Sequence, residues 1–360
     1  MMRTYFSGKP ALLAALVLGI STLPACSVIQ QSPPAKMVKK MGANQVLRFT
    51  ESNLMPPILF GDDVGMACAS GESMTPLVEA TGNLGADNDQ MGTLLYTTAA
   101  ICAERHEAEE ELRYMRALAD NLVNDAQDAR TAQKRWAAVA ARRQYSAYRH
   151  ATHYYESTFN IKIGETCPSF ASDFDEMVYL VGMLSGLQAI MNDVNSQNIV
   201  SVPKDIAPRV GRAMKCLDSE KWFGVPMAIN AAIWSLLPGA GGDQDPWQTF
   251  KDSSRAGERH GVRLANALYV ITAYSKADEK HLRDALKAYA STDEVGEFKA
   301  SPQFRLLDSM AEMEITEVSD RYWTEHTGAR TPYGSMGVFW DEQAKPGSSG
   351  ASSGINIDNL

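Results

Sequence analysis

The stretch SLLPGAGGDQDPW (235–247) decides the fold. It holds three glycines within four positions, flanked by prolines and followed by two acids. A phosphate-cradling loop would follow a strand and end in Lys-Ser/Thr, and would place the chain among α/β proteins. Here no strand-like run precedes the glycines and no lysine follows them. The flanks favour a turn between two helices instead. Leu237 ends one helix, Pro238 stops it, and the glycines take the positive-φ positions. Asp245-Pro246 then supplies the N-cap and first turn of the next helix. The chain reads as all-α on this stretch, and its neighbours agree.

Residues 89–159 contain no proline and a single glycine, Gly92, and are rich in strong helix formers. That length calls for two helices, with the break expected near NDAQDA (124–129). Within it, ERHEAEEELR (104–113) reads as a solvated helix face carrying a Glu109–Arg113 pair at i,i+4. Ser172 and Asp175 fit a capping box. Beyond them Leu180, Met183, Leu187, Ile190, Met191 and Val194 share one helical face. Gly182, Ser185, Gly186 and Ala189 form a small-residue patch against which another helix backbone can pack. Pro203 precedes a helix running to about Leu217, Pro226 opens another, and Asp278 caps a later one. Pro203 and Pro246 are 43 residues apart, the length of one helix pair with its loops. The expected architecture is TPR-like paired antiparallel helices in a single domain, 41–342.

The ends differ from this body. Arg3 and Lys9 precede the apolar run ALLAALVLGI (11–20), and LPAC (23–26) follows, so 1–25 reads as a lipoprotein signal peptide with Cys26 as the lipidated first mature residue. Ser27 after the cysteine points to the periplasmic face of the outer membrane. Residues 26–40 read as a tether, and the Gly/Ser-rich 343–360 as a disordered tail. Four cysteines remain beyond Cys26. In an oxidising compartment they are expected to form two disulfides, and of three possible connectivities Cys68–Cys102 and Cys167–Cys216 join nearest neighbours.

A formal net charge of −9 argues against nucleic acid as a partner, because the cationic surface that binds phosphate is missing. No nucleophile elbow or phosphate loop occurs, no cofactor motif is present, and no enzyme signature emerges. His150, His153 and Glu156 could share a helix face and meet a metal, but no further ligand pattern supports them, and a packed amphipathic face is the plainer reading. Aromatic residues gather late: Trp222, Phe223, Trp234, Trp247, Phe250, Tyr269 and Tyr274. In a helical array they either pack the core or line an apolar groove. Trp222, Phe223, Trp234, Trp247 and Tyr269 are the candidate ligand-binding residues.

Residues 174–290 resemble the TatT component family of TRAP-type (tripartite ATP-independent periplasmic) transporter systems. Gly182, Ser185 and Gly186 match a small-residue apolar helix of that family. Leu237, Pro238, Gly239, Gly241, Gly242 and Asp243 match its Leu-Pro-Gly turn running into Gly-Gly-Asp. The four extra cysteines, the long 104–136 segment and the 321–340 extension depart from the pattern. The resemblance implies a periplasmic, lipid-anchored accessory protein with an apolar channel, a trimeric assembly and a periplasmic solute-binding protein as partner. It also implies a hydrophobic or organic-acid ligand. A helical scaffold of the envelope, holding no small ligand, is the alternative.

Overall fold

The computed structural model describes residues 33–294 and 298–342, and every regular element within them is a helix. The signal segment, Cys26 and the 343–360 tail lie outside the described residues. Helix α1 (Pro33–Phe49) runs through one π-helical turn (Thr50–Leu54) into the short α2 (Met55–Leu59). There follow α3 (Val64–Gly82), α4 (Asp89–Ala119), α5 (Val123–Phe159) and α6 (Asp173–Asn195). Then α7 (Ile206–Ala213) passes through a tighter turn (Met214–Cys216) to α8 (Val225–Leu236) and α9 (Pro246–His260). The series ends with α10 (Leu264–Ser275), α11 (Glu279–Glu294) and α12 (Arg305–Thr327).

The turn at 235–247 forms as its sequence dictates. Leu236 is the last helical residue of α8 and Leu237 its extended C-cap. Gly239 and Gly242 take φ of +78° and +56°, which glycine adopts without strain. The Asp245 carboxylate then accepts hydrogen bonds from the backbone N–H groups of Trp247 and Gln248, with Pro246 in the first turn. Ser172 likewise caps α6 by accepting from Asp175 N. Asp175 reaches one residue further back than a capping box, accepting from Ala171 N at 3.0 Å.

Three local expectations shift. The break between α4 and α5 falls at 120–122, ahead of NDAQDA. Asn121 adopts φ +59°, Leu122 N donates to Ala117 O (2.8 Å), and Asn121 N donates to Leu118 O (3.2 Å). This is a Schellman close, with asparagine tolerating the left-handed position that glycine usually fills. Arg113 pairs with Glu110, Asp125 and Asp128 rather than with Glu109, because the turn swings the start of α5 alongside it. Finally, α1 begins at Pro33, so residues 33–40 of the tether are helical: the prolines sit in the first turn, where their missing N–H groups cost nothing.

Sequential helices pack against one another, with α4 on α5 the most extensive contact and α5 on α6 the next. The small-residue patch sets the α5–α6 spacing. A Cβ added at Gly182 would lie 2.2 Å from Ala151 Cβ, and one at Gly186 would lie 2.6 Å from the Tyr148 ring. Ser185 Oγ and Thr97 Oγ1 bond across to α4 at 2.8 Å. One buried core joins α1–α8 through residues such as Leu47, Met55, Tyr155, Tyr179, Met183 and Ile229. A second joins α8–α12 through Phe250, Tyr269, Leu286, Ile315 and Phe339. Helix α12 packs on α10 and also returns to α4, so the end of the array meets its beginning.

Both expected disulfides are present. Cys68–Cys102 ties α3 to α4, and Cys167–Cys216 ties the α5–α6 loop to the turn after α7; each has a Cα–Cα separation of 5.3 Å.

Candidate ligand-binding cavity

Where α12 returns to α4, six helices enclose a cavity of about 240 Å³. Its long walls are aliphatic. Helix α6 supplies Leu184, Leu187, Ile190 and Met191, and α8 supplies Ile229, Ala232, Ile233 and Leu236. Helix α10 supplies Leu264, Leu268 and Ile271, and α7 adds Ala207. Each set recurs at three- and four-residue steps, so one stripe per helix faces the cavity. At one side Met191, Leu236 and Leu237 stand exposed, which marks an apolar rim beside the glycine-rich turn.

The other part of the lining is polar. Helix α4 brings Glu104 and Glu107, and α12 brings Glu314, Glu317 and Arg321. Asn192 and Asn195 of α6 lie beside them, and Gln188, Thr272 and Ser275 are the other polar residues of the lining. Glu104 accepts hydrogen bonds from Gln144 and from Asn192 (2.9 Å), and Glu107 accepts from Asn195 (3.0 Å). Arg321 Nε lies 2.9 Å from Glu111 Oε2, an ion-pair contact that falls short of hydrogen-bond alignment. A second nitrogen of Arg321 lies 3.6 Å from Glu317. Glu314, half-buried on α12, makes no hydrogen bond or ion pair among the described residues.

Burial in this setting penalises the charged form of every carboxyl. It pushes Glu107 up to about 8, with Glu104 and Glu111 adding repulsion, against the Asn195 hydrogen bond and Arg321. It pushes Glu317 up to about 7, Arg321 opposing and Glu104 reinforcing. Glu314 stands well above the usual carboxylate range because burial and the charges of Glu104 and Glu317 act in the same direction. Glu104 is raised by burial despite its two amide donors. The polar end is therefore a set of desolvated acids with one guanidinium.

The candidate aromatic residues lie on other helix faces. Trp222 and Phe223 are buried with Phe304 (Phe223–Phe304 centroids 5.0 Å), and Trp222 Nε1 donates to Glu176. Trp247 and Tyr269 do come together, with ring centroids 6.0 Å apart beside Phe250, and Trp247 stacks on His281 at 4.4 Å. Trp234 packs, half-buried, against the same second core. None of the five lines the cavity. On α8 the aliphatic stripe takes the cavity face and Trp234 the opposite one; on α10 Leu264, Leu268 and Ile271 do so and Tyr269 turns away. Of the α6 stripe noted in the sequence, Leu187, Ile190 and Met191 reach the cavity.

The acidic run 104–113 divides. Glu109 is exposed, as a solvated face requires, but Glu107 is 5% exposed and Glu104 faces inward. The signal was a spacing: Glu104, Glu107 and Glu111 recur at three and four residues, and Glu314, Glu317 and Arg321 repeat that interval on α12.

His150 and His153 converge, but on Asp89: each donates through Nδ1 to one Asp89 oxygen, and His150 Nε2 meets Glu79 at 2.9 Å. Glu156 turns away to accept from Ile163 N. Burial disfavours charge on His150, yet the bonds to Asp89 and Glu79 outweigh it and raise its pKa. Among the described residues, no group of three or more His, Cys, Asp and Glu is placed to hold a metal ion. No protein-family model, curated protein or solved structure matches this chain.

Proposed function

We propose that this chain is a lipid-anchored accessory protein of a TRAP-type transport system, holding an apolar ligand in the α6–α8–α10 cavity and receiving it from a periplasmic solute-binding protein. The observation that supports the reading is the cavity itself. It is aliphatic along its walls, opens on an exposed apolar rim, and ends in a few convergent polar groups, the composition of a small-molecule site. Its roughly 240 Å³ is below the ~300–1,000 Å³ of sites for drug-sized ligands, so a slim ligand fits it best. The rim adjoins the Leu-Pro-Gly turn that carries the family resemblance.

The experiment is co-purification of the full chain from envelope extracts of its source, with native mass spectrometry of the isolated protein. A solute-binding protein in the eluate and a bound small molecule in the spectrum are expected. Recovery of neither, with other envelope proteins captured instead, would favour a ligand-free scaffold.

A further inference from the structure

The charge balance of the cavity selects the ligand's head group. Four carboxyl groups line the polar end, and Arg321 is the single base among the described lining residues. That guanidinium is already engaged by Glu111 and Glu317. Glu104 and Glu107 are held by amide donors, which orient a carboxylate without neutralising it. Among the described residues Glu314 has no hydrogen-bond or ion-pair partner and feels only the longer-range attraction of Arg321. A carboxylate arriving here would find no free counter-charge, because the one guanidinium is already shared by Glu111 and Glu317. A cation would instead supply the partner these acids lack.

We propose that the cavity takes a cationic amphiphile: a slim ligand with an alkylammonium-type head among Glu104, Glu107 and Glu314 and an apolar tail along α6, α8 and α10. This rests on reading the cavity as a ligand site, and it narrows that reading from any apolar ligand to an amine with an apolar tail. The geometry fits one head and one chain. The acids from α4 and α12 gather at the polar end, while Leu187, Ile233 and Leu268 line the aliphatic walls.

Binding is coupled to protons. The groups facing these carboxyls are Glu111, Arg105 and Glu109 from α4, Glu317 and Arg321 from α12, and the amides of Asn192, Asn195 and Gln144. Without a cation, burial favours the protonated acids. An ammonium restores the charged form, so a proton leaves as the ligand enters. Affinity for an amine therefore rises as pH increases from 6 to 8, whereas affinity for a neutral ligand does not.

The test uses the full chain in phosphatidylcholine nanodiscs, with empty nanodiscs as blank, titrated calorimetrically with octylamine, octanol and octanoate. Octylamine is expected to bind at least tenfold more tightly than octanol at pH 8. Octanoate is expected to bind more weakly than either, and proton release should accompany the amine alone. Glu314→Gln and Glu107→Gln, which keep side-chain volume, should each lower the amine-to-alcohol affinity ratio about tenfold. Octanol or octanoate binding as tightly as octylamine overturns the proposal and leaves the apolar site standing. Binding of none of the three overturns the ligand site itself.

Discussion

Arg263 and Asp308 form a buried pair that fixes α12 to the start of α10. Asp308 accepts from the Arg263 backbone N–H (2.8 Å), from Nε (3.0 Å) and, through its second oxygen, from a terminal nitrogen at 2.8 Å. Both side chains are only 5% exposed, and the Arg263 guanidinium lies over the rings of Tyr289 and Phe298. Both helices line the cavity. Asp308→Ala breaks this buried ion pair and its three hydrogen bonds and is expected to cost about 3–5 kcal/mol. Urea unfolding measures this; a loss under about 1 kcal/mol would mean that the pair does not hold α12 in place.

Glu107 links the cavity to pH. Its folded pKa, about 8, lies above the ordinary carboxylate value of 4.5. The protonated form is therefore favoured by folding, and its stability is complete below pH 4.5 and is lost as pH rises toward 8. Glu107→Gln keeps the acceptor for Asn195 and removes the charge. The variant is expected to be more stable than the parent at pH 8 by about 2–4 kcal/mol, with little difference at pH 4. Thermal melts at the two pH values decide it, and an equal difference at both would sink the linkage.

Gly182 sets how closely α6 approaches α5. Even alanine would bring two Cβ atoms to 2.2 Å, so Gly182→Val must push the helices apart. Overpacking of this kind costs about 1–3 kcal/mol. The displacement moves Leu184 and Leu187 with it, so octanol binding should weaken as the melting temperature drops. A variant as stable as the parent would show that the interface has slack.

The glycine patch and the turn at 235–247 were legible because each rests on local rules: a Cβ that does not fit, a positive φ, an N-cap carboxylate. The cysteine pairs were legible from their number and nearness alone. The cavity was not. Its aliphatic stripes on α8 and α10 share those helices with conspicuous aromatic residues, and sequence does not say which face turns inward. Trp234 and Ile233 are adjacent in the chain, yet one meets the second core and the other the cavity. The acidic end was hidden for a different reason. Glu104 and Glu107 resemble a solvated face until α12 is laid beside α4; the spacing shared by the two helices marks the faces but not that they meet.

The two disulfides act on different parts of the array. Cys167–Cys216 secures the long α5–α6 loop against the turn leading to α8, and Cys68–Cys102 lies within the α3–α4 pair. Removing either by Cys→Ser substitution is expected to cost about 2–5 kcal/mol. The melting temperature of each single-bridge variant reads the loss directly. A bridge whose removal leaves that temperature unchanged is not stabilising the chain.

The meeting of α4 with α12 has a consequence for biogenesis. The carboxyl groups at the polar end come from α4 and α12, which are widely separated in the chain, so the two halves of that end are synthesised far apart in time. Contacts of such long sequence separation form late, after the loop-closure cost of the intervening chain has been met. A nascent or truncated chain lacking α12 lacks Glu314, Glu317 and Arg321 and cannot complete the polar end. Ligand occupancy would then report the completion of folding as directly as any structural probe.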